Sequence, residues 1–346
     1  MILIDILALV GIGFVLVLFA AAASSLESLL WWAGWDKSAT AYPPIALPEV
    51  QPPPVASGAP QPEPDSYVVY LSGAGTMDPS RMDEKELRFI RQLRASLPES
   101  AFILDVFPYS PSNRPLTDER WLRRAWGYIL KARGVDRRHR STLQRLGIHV
   151  AQFRNVLQVA VSADRRYGPV YSYGIAREIA ASLLRHGYLV GSRKPVILIV
   201  LSGAGQISVG CTPLLRRMLG RPIWIVSIGS ILADDPGILD VEHLYHLSGS
   251  RDRTQHIGMF FYPGLWRIFP HSAPNQARKI GKISVIDVGP MKHMGVGDYM
   301  SRSAVLPDGD RHADKTVSVL VGLVRQIERQ AGVATQPPSS SPGACR

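Results

Sequence analysis

Ser202, Asp252 and His293 follow one another along the chain, each just past an apolar run. Ser202 follows VILIV and precedes Gly203 and Ala204, Asp252 lies in GSRD beyond HLYHL, and His293 lies in GPMKH beyond ISVIDVG. Serine, aspartate and histidine are the residue types of nucleophilic acyl transfer, in which a hydroxyl attacks, an imidazole takes its proton and a carboxylate orients the imidazole. A serine on a sharp strand-to-helix turn projects its Oγ above the sheet, where a substrate can reach it. Each residue alone has a plainer reading: a turn serine, an aspartate accepting local backbone N–H groups, a solvated histidine. Shared order and shared strand-end placement carry more information than any one of them.

Other residues of chemical interest group less well. His243 and His246 in EHLYH stand near Glu242, but H-x-x-H is not the H-E-x-x-H of helical zinc proteases, so they read as structural and no metal is expected. Asp234 and Asp235 in ADDPG read as turn and cap residues. Asp105 ends a strand candidate without an obvious partner. SGAG occurs at 72 to 75 and again at 202 to 205, a sequence able to cradle phosphate at a helix N-terminus. As a dinucleotide fingerprint it fails, because Asp78 and Ser208 stand where G-x-G-x-x-G needs its last glycine. No cofactor is expected.

Elements that must position the three residues are legible as patterns. SYVVYLSGAG reads as a β-branched strand with a glycine-rich turn, and DEKELRFIRQLRASL has the spacing of an amphipathic helix. FILDVF, PVILIVLSGAG, PIWIVSIGS, EHLYHLSGSRD and ISVIDVG read as further strands, FILDVF as a buried one. Helices are expected from WLRRAWGYILKARG onward, over roughly Ser172 to His186, from near Gln206, and over KTVSVLVGLVRQIERQ. Strands that are solid apolar runs and alternate with helices imply a mostly parallel sheet covered on both faces, a three-layer α/β/α sandwich. In such sheets chemistry collects where loops leave the carboxyl ends of the strands.

The stretch from VILIVLSGAGQISVG through HLYHLSGSRD to VIDVGPMKHMG resembles the α/β-hydrolase fold, and more narrowly uncharacterised membrane-anchored bacterial α/β-hydrolase-like proteins, over most of residues 67 to 330. The resemblance implies Ser202 as nucleophile, His293 as general base and Asp252 as the carboxylate that sets the histidine tautomer. It also implies an oxyanion hole from the backbone N–H of Gly203 and of Gly73 or Ala74. Against the motif G-x-S-x-G, the chain has Val200 two before the serine and Ala204 two after. A β-branched Val200 crowds the turn, so either the following helix sits further off or Ser202 is not strained.

The chain has 346 residues, 46% of them hydrophobic and 19% charged, with a net charge of +11. This excludes a disordered chain or a collagen-like fibre. Residues 1 to 36 hold no Lys or Arg, and Ile6 to Ala23 is an 18-residue charge-free run followed by Trp31, Trp32 and Trp35, which reads as a transmembrane anchor and interfacial segment. A cleaved signal peptide is the competing reading, disfavoured by the missing positive n-region. Residues 37 to 66 carry nine prolines between Pro43 and Pro64 and read as a semi-rigid linker; residues 331 to 346 read as a disordered tail. The domain from 67 to 330 is basic, and Arg120 to Arg145 concentrates nine cations against Asp136. Interleaved Trp121 and Trp126 suit a membrane surface, and no recognition motif supports nucleic acid. Between Asp252 and His293, HIGMFFYPGLWRIFPHSAP is rich in aromatics and could form a lid or acyl-binding wall. The expectation is a single-pass serine hydrolase of a bacterial membrane, cleaving an ester or similar acyl bond of a small molecule or lipid. The alternative is a catalytically silent, membrane-tethered binding protein.

Overall fold

The structure, a computed structural model, describes residues 63 to 113 and 142 to 333, together with Gly11, Gly13, Val15, Leu18 and Phe19. Most of the anchor candidate from Ile6 to Ala23, nearly all of the linker, most of the basic stretch and the tail beyond residue 333 lie outside the described residues; residues 331 to 333, expected to open the disordered tail, instead close the last helix. No described helix is long and apolar enough to cross a membrane.

Six strands form one sheet: β1 (Ser66–Leu71), β2 (Ser100–Ile103), β3 (Val196–Leu201), β4 (Ile223–Ile228), β5 (His243–Ser248) and β6 (Ile283–Asp287). Their order is β2-β1-β3-β4-β5-β6, and every neighbouring pair is parallel. Side chains alternate cleanly across it. Tyr67, Val69 and Leu71 of β1 and Val196, Leu198 and Val200 of β3 join one core, while Val68, Tyr70, Ile197 and Ile199 join the other. Both faces are thus buried, which is why β3 is an unbroken aliphatic run. Each of those aliphatics contributes roughly 1.5–3 kcal/mol of burial free energy.

Helices α1 (Glu84–Ala95) and α7 (His312–Val333) cover one face; α2 (Thr142–Ala163), α3 (Gly168–Arg185) and α4 (Ala204–Leu219) cover the other. Two short helices, α5 (Ile257–Phe261) and α6 (Ala273–Lys279), lie between β5 and β6. The three-layer α/β/α architecture expected from the sequence is therefore present. The chain leaves β1 toward β2 on one side and β3 lies on the other, so the strand order reverses at β1. Loops after β1 and β3 flank this switch point, where open α/β sheets form their ligand crevices.

One expected strand is displaced. FILDVF, expected as a buried strand, pairs only as far as Ile103, because β2 begins earlier at Ser100 and borders the sheet edge. Beyond Ile103 the backbone finds other partners: Phe107 N–H donates to Asn113 Oδ1 at 2.6 Å, and Asn113 Nδ2 donates to the Asp105 carbonyl at 3.2 Å. Asp105 itself accepts hydrogen bonds from Ser182 and, at 3.1 Å, from Arg185, so the partner missing from the sequence reading comes from α3.

Cys211 lies on α4 within the core, and burial pushes its thiol up to about 12. A chain carrying Cys345→Ser should therefore resist iodoacetamide at neutral pH while native and react fully in guanidinium. Stoichiometric labelling of the native protein would contradict this packing.

Candidate active site

β3 ends at Leu201 and α4 begins at Ala204, so only Ser202 and Gly203 separate strand from helix. Ser202 takes a φ of 56°, in the left-handed region that residues with a Cβ avoid. Conformations of this kind cost about 1–3 kcal/mol and persist only where neighbours over-determine them. Here Ser202 N–H donates to the Ile228 carbonyl at 3.1 Å, and its own carbonyl accepts from Gly205 N–H at 3.1 Å.

Missing side chains let the start of α4 close on α2 and on the loop after β4. A Cβ at Gly203 would stand 2.6 Å from Val159 Cγ2, and one at Gly205 would stand 2.3 Å from Ser230 Oγ. Val200 is buried in the same core as Ala204 and Ile207, yet Ser202 keeps its left-handed backbone. Of the two consequences expected from Val200, a relaxed serine is therefore not the one found. The tight approach falls at Gly203 and Gly205.

Asp252 follows β5 and is removed from solvent. Its Oδ1 accepts from the backbone N–H groups of Thr254 at 2.9 Å and Gln255 at 3.2 Å. Its Oδ2 accepts from the Tyr299 hydroxyl at 2.9 Å and meets His293 Nδ1 at 2.9 Å. His293 Nε2 lies 2.8 Å from Ser202 Oγ. A carboxylate facing Nδ1 assigns the proton to that nitrogen and leaves Nε2 free to accept from the serine hydroxyl. Sequence-predicted Ser202, Asp252 and His293 thus converge into one hydrogen-bonded chain.

The electrostatics favour an ionised aspartate. Burial alone would raise its pKa, but the bond and charge of His293, with Tyr299 and the Gln255 backbone, hold it below the usual carboxylate range. Tyr299 is pushed up, first by burial and then by the Asp252 charge, so its hydroxyl stays protonated and donating. That hydroxyl also accepts from Gly249 N–H at 2.8 Å.

The loop after β1 lies beside the serine, since a Cβ on Gly73 would come within 3.6 Å of Ser202 Cβ. No described acceptor takes up the backbone N–H of Gly73, Ala74 or Gly203. The Tyr109 hydroxyl donates to the Ser72 carbonyl at 3.0 Å, and Asn155 Nδ2 donates to the carbonyls of Ala74 at 2.9 Å and Thr76 at 2.7 Å. These two buried side chains fix the loop from below.

The remaining candidates are placed elsewhere. His243 Nε2 meets Ser284 Oγ at 2.8 Å, and His246 lies between Ser227 Oγ at 2.7 Å and Gln255 Oε1 at 3.2 Å. Asp235 caps a turn by accepting from Gly237 N–H at 2.8 Å and also takes the Gln206 side chain at 2.8 Å. Tyr299, Tyr109, Asn155 and Gly229 belong to the site and escaped sequence reasoning. Gly229 alone carried a signal, as the glycine that ends PIWIVSIG.

No family model matches the chain, and no curated protein matches it. Among solved structures the chain is similar to one described as the crystal structure of esterase PE8, with 16% identity and a TM-score of 0.37, covering 76% of this chain and 93% of that one. A likeness at that level carries no argument about activity.

Tyr299→Phe removes a donor from Asp252 and an acceptor from Gly249 N–H, which should cost about 1–3 kcal/mol in denaturant unfolding. A carboxylate with a depressed folded-state pKa contributes stability above its unfolded pKa and loses it as pH falls through the folded one. Removing the tyrosine bond raises that folded pKa. The acid-unfolding midpoint of Tyr299→Phe should therefore move to higher pH, and an unmoved midpoint would exclude the tyrosine as a support of the carboxylate.

Proposed function

We propose that this chain is an α/β-hydrolase-like serine hydrolase that cleaves an ester or related acyl bond through an acyl-Ser202 intermediate, held at a bacterial membrane by its apolar N-terminal run. The observation that carries the reading is the 2.8 Å approach of Ser202 Oγ to His293 Nε2, on a serine in the left-handed region, with Asp252 at 2.9 Å from Nδ1.

In this reading Ser202 Oγ attacks the acyl carbonyl as His293 Nε2 takes its proton. The negative charge that the carbonyl oxygen acquires is taken up by the N–H groups of Gly203 and of Gly73 or Ala74, which have no acceptor among the described residues. Collapse of the tetrahedral intermediate expels the alcohol, which receives the proton from His293. Water, deprotonated by the same nitrogen, then attacks the acyl-serine, and the acid leaves as Oγ recovers its proton. Asp252 stays ionised throughout and stabilises the imidazolium formed in each half-reaction.

A lipid ester is the substrate class favoured by the apolar segment between Asp252 and His293, where Phe260, Phe261 and Ile268 are exposed. A catalytically silent role would be favoured by a serine out of reach of the histidine. The 2.8 Å separation leaves that alternative without an observation of its own.

The full chain should be labelled by a fluorophosphonate probe at Ser202. Ser202→Ala should abolish the label, and both Ser202→Ala and His293→Ala should lower hydrolysis of an activated ester by at least about a thousandfold. A folded wild-type protein that neither labels nor turns over any of a panel of acyl esters would overturn the assignment.

A further inference from the structure

The segment from Ile257 to Phe269 exposes its largest side chains to solvent. Phe260 is 81% exposed, Ile268 72% and Phe261 67%, and Met259, Trp266 and Phe269 are also exposed. Isolated exposed apolar residues need no explanation, but this many on thirteen consecutive positions mark a contact surface.

Part of its backbone is bonded from within. The Met259 carbonyl accepts from Trp266 Nε1 at 2.6 Å, and Asn275 Nδ2 serves the carbonyls of Trp266 at 2.7 Å and Phe269 at 2.9 Å. The carbonyls of Gly258, Tyr262 and Pro263 accept from Tyr262, Leu265 and Trp266 N–H. Each carbonyl engaged in this way can approach a hydrocarbon boundary without the several kcal/mol that a bare peptide group costs there.

Charge along the segment itself is basic, while Asp164 and Asp235 stand close enough to raise the pKa of Tyr262 after burial has done so. Arg267 lies within it, Arg251, Arg253, Arg278 and Lys279 flank it along the chain, and the only acid between Gly249 and Lys282 is Asp252, which is buried on His293. Asp234 and Asp235 are half-buried beside it, Asp234 against Gly264, where a Cβ would be 1.8 Å from Oδ2. Exposed cations framing aromatic and aliphatic side chains suit anionic headgroups above an acyl layer.

Position ties the surface to the candidate site. Gly258 packs on the Leu232 backbone, Leu232 reaches Gly205, and Gly205 is three residues past Ser202. Met294 and Val296, just after His293, are exposed as well. The chain enters the domain at the opposite pole, where Ser192 Oγ donates to Glu63 at 3.4 Å and Lys194 pairs with Asp65 at 3.4 Å before β1 begins. Residues 24 to 62 span at most about 130 Å. A domain of this size is about 50 Å across. The chain therefore allows the far pole to face a membrane that holds the apolar run from Ile6 to Ala23.

We infer that the surface formed by Ile257 to Phe269 docks into an anionic lipid bilayer and turns the mouth of the Ser202 site toward it. This rests on the membrane placement proposed above, not on hydrolysis. A protein partner is less well matched, because the segment holds no strand whose edge could pair.

The test uses the full chain carrying Cys345→Ser and either Phe260→Cys or, at the opposite pole, Val190→Cys, each labelled with an environment-sensitive fluorophore and reconstituted with phosphatidylcholine–phosphatidylglycerol vesicles. The label at 260 should shift to the blue and be quenched at least about twofold by nitroxide-bearing lipids, while the label at 190 should report water. A chain that joins the vesicles with its 260 label still in water overturns the docking surface and leaves anchoring intact. A chain that never joins them overturns both. Since neither label reports turnover, inactivity toward esters would count against the hydrolase reading alone.

Discussion

The candidate site depends on one backbone constraint, the left-handed Ser202 between β3 and α4. A two-residue reversal between a buried strand and a buried helix leaves no slack, so the serine side chain is driven out at the carboxyl end of the sheet. The strain is opposed by hydrogen bonds on both sides of the residue and by the bulk of β3, whose burial is worth several times the cost. Oγ is therefore placed by the same forces that form the core.

The loop after β1 is held differently, by buried polar groups. Arg154, buried on α2, donates to the Tyr109 carbonyl at 3.0 Å and to Asn155 Oδ1 at 3.2 Å. Burial pulls its guanidinium down to about 10, still charged at neutral pH. Through it, Asn155 and Tyr109 are aligned on the carbonyls of Ser72, Ala74 and Thr76. With the carbonyls engaged from beneath, the N–H groups of Gly73 and Ala74 remain without described acceptors beside Ser202. A half-satisfied network here would cost more than an apolar one, so the arrangement is useful only because each member is bonded.

What the sequence made legible follows from what periodicity can report. Solid apolar runs located β3 and β4, and the residues just past β3, β5 and β6 included Ser202, Asp252 and His293. Order along the chain was enough to suggest that they meet, because parallel strands bring their carboxyl ends to one side. FILDVF misled because a short apolar run does not reveal where pairing stops; Asn113 and α3 decide that from elsewhere in the chain. Tyr299 and Asn155 were illegible for a related reason. Each acts across dozens of residues, and neither a tyrosine in GVGDYM nor an asparagine inside a helix carries a local sign of its partner.

The nucleophile turn shows the same limit at finer scale. Val200 stands where a nucleophile turn usually has a small residue, and from sequence the substitution looks like a defect. In the structure the demand for space falls on either side of the helix start, at Gly203 and Gly205, where added Cβ atoms would meet Val159 and Ser230. Gly229 completes the arrangement from the neighbouring strand. Its φ of 53° and the absence of a side chain allow Asp252 and Tyr299 to sit where a Cβ would stand 2.6 Å from Oδ2 and 2.7 Å from Cε2. A motif fixes where small residues usually fall, whereas the fold requires only that the space exist. The carboxylate, the imidazole and the serine can align here because three glycines on two adjacent strand ends supply that space.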